Sequence, residues 1–102
     1  MGIKDESFII LSIVLHLPKL ANSYDLTKIM GWKFDMLNSA SILSDLVKDQ
    51  MVVRNESAPV FIYEITDLGR ETVYENLEKN RSSVYKKFTK GKDFLDILFS
   101  KF

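Results

Sequence analysis

The chain is 102 residues long, about 46% hydrophobic and 27% charged, with no cysteine and one histidine. This is the composition of one ordinary globular domain rather than a disordered segment, and it is too short for two independent cores. Lack of cysteine excludes a disulfide framework, a thiolate metal site and a cysteine nucleophile, and it fits a cytoplasmic protein. The formal charge is zero but unevenly spread. Residues 1–78 hold seven basic and twelve acidic side chains, whereas residues 79–92 (KNRSSVYKKFTKGK) hold six basic and no acidic ones. Such a local positive field suits phosphate or another anionic partner; a solvated cationic helix end is the plainer alternative.

In chain order, the first predicted helix opens near Asp5, which can cap it, and carries Phe8, Ile9, Leu11, Ile13, Leu15 and Leu17, too many apolar residues for one stripe. It should lie centrally, and Pro18 ends it. Its apolar run is too short to cross a membrane and follows acids, so it reads neither as a span nor as a signal peptide. Asn22 and Ser23 are good caps for a short second helix, in which Leu26, Ile29 and Met30 share a face. Gly31 is the expected stop, with Trp32 as a packing anchor beside it. From Asp35 to Gln50 a third helix is expected, with Leu37, Ala40, Leu43, Leu46 and Val47 inward and Asn38, Ser41, Asp45 and Lys48 outward.

The run Met51 to Asn55 then turns β-branched, Glu56 to Pro59 is turn-like, and Val60 to Thr66 alternates, with Phe61, Tyr63 and Ile65 on one side. Together they predict a hairpin. Thr66 should cap a long fourth helix reaching about Lys87, and Gly91 should break it. A short amphipathic helix starting at Asp93 closes the chain. Its residues Phe94, Leu95, Leu98 and Phe102, with Val84 and Phe88, exceed what a small domain easily buries. They are the candidate dimerisation surface. The alternative is that this tail folds back on its own core.

Three helices, a hairpin and a long helix are the order of a winged helix-turn-helix, an α+β, mostly helical fold. The segment YEITDLGRE, Tyr63 to Glu71, resembles the sequence by which the second wing strand of PadR-like and MarR-like transcriptional regulators enters the next helix. LVKDQMVVRN, Leu46 to Asn55, resembles the passage from recognition helix to first wing strand, with Gln50 where many such regulators have glycine. The likeness covers roughly residues 8–78, with residues 79–102 as an extension. It implies a small regulator of double-stranded DNA whose third helix enters the major groove, and the apolar C-terminal half makes a dimer the expected form. The base-reading positions carried over are Asn38, Ser39, Ser41, Ile42 and Asp45, with Lys28, Lys33, Lys48, Arg54, Lys86, Lys87, Lys90 and Lys92 for phosphates.

Two departures weigh against tight binding: no arginine reads guanine from the third helix, and Glu56 rather than a cation stands near the wing tip. A protein-docking adaptor with the same fold is therefore the alternative. No phosphate loop, metal-ligand spacing or catalytic arrangement around His16 is visible, so neither a cofactor nor an enzymatic activity is expected.

Overall fold

The computed structural model describes residues 2–56 and 59–102. Helices α1 (Asp5–His16), α2 (Ser23–Phe34) and α3 (Ser39–Lys48) precede strands β1 (Val52–Asn55) and β2 (Ile62–Ile65). The long α4 (Asp67–Lys87) and the short α5 (Lys92–Phe99) follow, with single 3-10 turns at Pro18–Leu20 and Thr89–Gly91. This is a mostly helical α+β chain with a two-stranded antiparallel hairpin, in the order of a winged helix. The expected turn at Glu56 to Pro59 falls partly on Ser57 and Ala58, which lie outside the described residues.

The density of apolar residues in α1 has the consequence expected of it. All seven residues from Phe8 to Val14 are buried, because the helix is covered by α3, α4, α5 and β2 on different sides. Asp5 enters as the first helical residue rather than as the cap. Its carboxylate accepts hydrogen bonds from Asn80 Nδ2 (2.8 Å) and Ser83 Oγ (2.6 Å), which tie the start of α1 to α4.

Helix α2 begins as its caps predict, Asn22 Oδ1 accepting from the Asp25 N–H at 2.8 Å. It does not stop at Gly31. It continues to Phe34, and Asp35 takes the left-handed cap conformation at φ 52°. The extra turn sets Met30 and Phe34 four residues apart on the buried side and turns Trp32 outward. Trp32 is 66% exposed and anchors no packing, the opposite of the sequence-based expectation.

Helix α3 starts four residues later than its pattern suggested. Its buried side is Ser39, Leu43 and Leu46, supported by Ile42 and Val47. Leu37, expected inside, stands in the turn before the helix and is 92% exposed, and Ala40 is exposed as well. Met36 takes the inward place instead. After α3 the chain reverses through Gln50, whose φ of 63° is left-handed. This is the position where the resembling regulators have glycine, and the geometry explains why glycine suits it.

The hairpin pairs Val52 with Ile65 and Asn55 with Ile62. It is widened by the segment before α2: Tyr63 N–H donates to Ala21 O and Ser23 N–H to Phe61 O, both at 2.8 Å. At its base, Thr66 caps α4 by accepting from the Gly69 N–H at 3.0 Å, and its hydroxyl lies 2.7 Å from Gln50 O. Gly69 faces the sheet so closely that a Cβ there would overlap the Met51 carbonyl oxygen. Leu68 beside it is nearly half exposed; the glycine occupies the contact beneath the sheet.

The C-terminal segment folds back on the same core. Val84, Leu95 and Leu98 are fully buried. Phe88 and Phe94 meet Phe34 edge to face at 5.5 and 5.9 Å, and Phe102 meets His16 at 4.2 Å. Gly91, not Asp93, precedes α5, and its missing side chain leaves room for the Phe34 ring. Of the expected dimerisation set, Val84, Leu95 and Leu98 are thus covered inside one chain, while Phe88, Phe94 and Phe102 are half-buried against the core.

Candidate nucleic-acid interface

The turn after α2 and the burial of Ser39, Leu43 and Leu46 fix which side of α3 faces outward. That side carries Asn38 at its start, then Ser41, Ser44, Asp45 and Lys48, all exposed. Asn38 makes no cap hydrogen bond, so its amide is not engaged with the helix end. Ser39 is only 1% exposed; its hydroxyl faces the core and is withdrawn from the set of base-reading candidates. Ile42 is half-buried and packs on the core, leaving only its edge toward solvent. The helix starts at Ser39 rather than Asp35, and this shift of phase swaps Ser39 inward and Leu37 and Ala40 outward.

The hairpin stands beside this helix with Arg54 near its far end. Arg54 is engaged twice, with Glu56 at 2.9 Å and with the Phe61 ring, 4.6 Å from guanidinium carbon to centroid. Of the cations proposed from sequence, two more are held by acids. Lys87 Nζ lies 2.9 Å from Glu6 at the start of α1, and Lys90 Nζ lies 3.0 Å from Asp35 at the turn between α2 and α3. Glu6 raises the pKa of Lys87 through that hydrogen bond, against a small opposing effect of burial. The basic stretch 79–92 therefore does not form one uniform patch: Lys87 is directed to α1 and Lys90 to the helix-turn-helix turn. Among the described residues, Lys28, Lys33, Lys48, Lys86 and Lys92 find no acid to pair with. Lys28 and Lys33 lie over the rings of Tyr24 and Trp32 at 5.9 and 5.2 Å.

The remaining polar groups serve the fold. Burial, followed by the charge of Lys101, lowers the pKa of His16, so the imidazole is neutral against Phe102. Burial together with a 2.7 Å hydrogen bond to Asp96 pushes Tyr85 up to about 12. Among the described residues no group of three or more histidine, aspartate or glutamate side chains is arranged to hold a metal ion, and no helix is long and apolar enough to cross a membrane.

Sequence reasoning missed the exposure of Leu37, Tyr24 and Trp32. Tyr24 and Trp32, eight residues apart, fall on one helix face only if the helix runs through Gly31, so that signal was present but cut at the glycine.

Helix, helix, turn, helix and a hairpin wing define a winged-helix-like protein. No protein-family model matches the chain, and neither the curated proteins nor the solved structures contain a significant relative.

Proposed function

We propose that the protein is a winged-helix DNA-binding protein, a small transcriptional regulator of the PadR-like or MarR-like kind, with α3 in the major groove. The observation that supports it is the outward face of α3: hydrogen-bonding side chains at Asn38, Ser41 and Ser44, standing clear of the core beside an antiparallel wing. Asn38 would pair with adenine and the serines with base edges or phosphates. Lys28, Lys33, Lys48, Lys86 and Lys92 supply the positive charge that no described acid takes up. Its role is binding rather than catalysis, and it needs no cofactor.

Action as a dimer belongs to the same proposal, but through a different surface. The first half of α4 exposes Asp67, Glu71, Glu75 and Glu78, and these are followed by the exposed Lys79 and Arg81. Two copies packed antiparallel along α4 would set acid against base across a twofold axis.

The test is fluorescence anisotropy of mixed-sequence duplex DNA at rising salt. Affinity must fall with salt with a log–log slope no steeper than about −5 per protomer, one unit for each of those lysines, or about −10 for a dimer with both copies on the duplex. Absence of binding at low salt would refute the proposal. The second reading, docking of a protein partner, is favoured by the internal ion pairs that consume Arg54, Lys87 and Lys90. It would take over in that event.

A further inference from the structure

A row of exposed rings, each with a cation against it, runs from the wing along α2. Phe61, Tyr24 and Trp32 are 38%, 62% and 66% exposed, and Arg54, Lys28 and Lys33 lie 4.6, 5.9 and 5.2 Å from their respective centroids. The row is continuous because Phe61 is held to the start of α2 by its N–H on Ser23 Oγ (3.2 Å) and its carbonyl on the Ser23 N–H (2.8 Å). Tyr24, Lys28 and Trp32 then follow at steps of four on one helix face, the outer two about 12 Å apart along the axis. Between them Gly31 is bare: a Cβ built there meets nothing within 4 Å. Among the acids near this face, Asp25 is engaged with Asn22 at 2.8 Å and Asp35 with Lys90, while Glu56 holds Arg54 at 2.9 Å, so among the described residues Lys28 and Lys33 are the row's unpaired cations.

Large rings left in water serve no packing purpose here, since the core is closed without them. A duplex phosphate backbone gains from the cations but has no use for ring faces, because its bases are already stacked on one another. Unpaired bases use both: each lays its face on a ring, while the sugar-phosphate chain runs past the cations. The spacing along α2 spans about two extended nucleotides, with Lys28 between the rings and the bare surface at Gly31 letting the chain approach.

We propose that the Phe61–Tyr24–Trp32 row is a binding site for single-stranded nucleic acid, separate from the duplex-reading face of α3. The site shares Lys28 and Lys33 with the duplex proposal but needs no helix in a major groove, and it is the rings, which a duplex does not use, that set it apart. Trp32 is the chain's one tryptophan and lies in the row, so it reports occupancy directly.

The experiment is titration of the full chain with a short oligo(dT) at low salt, following tryptophan fluorescence. Saturable quenching that weakens with salt is expected. Tyr24→Ala should lower the affinity at least about five-fold, and Lys28→Ala should lower it and flatten its salt dependence. Both positions are exposed, and circular dichroism will confirm that the variants fold. Asn38→Ala, on α3, should leave oligo(dT) binding unchanged. The proposal is overturned if oligo(dT) gives no saturable quenching, or if Tyr24→Ala binds as tightly as the parent. An equal loss of blunt-duplex affinity in Tyr24→Ala would overturn it too, since the rings would then serve the duplex, as would equal quenching by polyglutamate, which would assign the row to an acidic protein partner. Duplex anisotropy measured alongside keeps the two proposals distinct: loss of one signal with retention of the other identifies which has failed.

Discussion

Two residues on either side of the hairpin, Gln50 after α3 and Gly69 in the first turn of α4, carry unusual demands, and they are opposite in kind. Gln50 is a side-chain-bearing residue in left-handed geometry, a conformation that costs roughly 1–2 kcal/mol without glycine. Gln50→Gly should therefore stabilise the protein by about 0.5–1 kcal/mol, part of the gain being offset by the freer unfolded chain. Gly69 has an ordinary φ but no space, and Gly69→Ala should cost about 2–4 kcal/mol by forcing α4 off the Met51 carbonyl. Urea midpoints of the two variants should move in opposite directions. His16 adds a pH dependence. Its folded pKa lies below the ordinary value of 6.5, so the unfolded chain takes up the proton first. Its contribution is complete above that value and is lost as pH falls toward the lower folded pKa. Stability should decline as pH falls through 6.5, and His16→Phe should flatten that fall in the urea midpoint.

Elements are defined here by where each helix stops and by which side it closes against the core. Helix α5 packs with Leu95 and Leu98 inward at zero exposure, which makes it a wall of the core and not a free dimerisation arm. Leu98→Ala should lower stability by about 2–5 kcal/mol, with a urea midpoint independent of protein concentration at high salt, where an ionic dimer along α4 has dissociated. A concentration-dependent midpoint under those conditions would return α5 to the subunit interface. On α3, Asn38→Ala should relax base preference in a selection of bound duplexes with little loss of average affinity, whereas Lys86→Glu on α4 should weaken binding to all sequences alike. Lys86 is the cleaner choice than Lys87, whose reversal would also set a carboxylate against Glu6.

For the whole molecule the decisive quantity is how charge is shared out between solvent and internal partners. The exposed pairs Lys87–Glu6 and Lys90–Asp35 add little to stability, but each holds a cation away from outside phosphate. Glu6→Gln should free Lys87 and steepen the salt dependence of duplex binding by up to about one unit of slope. The twofold arrangement along α4 predicts a dimer in sedimentation equilibrium that dissociates as salt rises, because its complementarity is ionic and screened. A strict monomer at high micromolar concentration would remove it.

What the chain's linear order determined was the local part of the fold. The caps at Asn22 and Thr66, the hairpin and the central α1 follow from residue types and from neighbours near in the chain, so each is legible in the sequence. Periodicity also marks the third helix, but not its phase: its start depends on Asp35 taking the cap that Gly31 was expected to take. That choice follows from Phe34 finding Phe88, Phe94 and the bare Gly91 to pack against, residues more than fifty positions away. Only the tertiary structure could decide it. With it went the burial of Ser39, the exposure of Leu37 and Trp32, and the use of the C-terminal aromatics as core. The same holds for charge: a sequence shows how many cations there are, but pairing across fifty or eighty residues decides which of them remain for a partner.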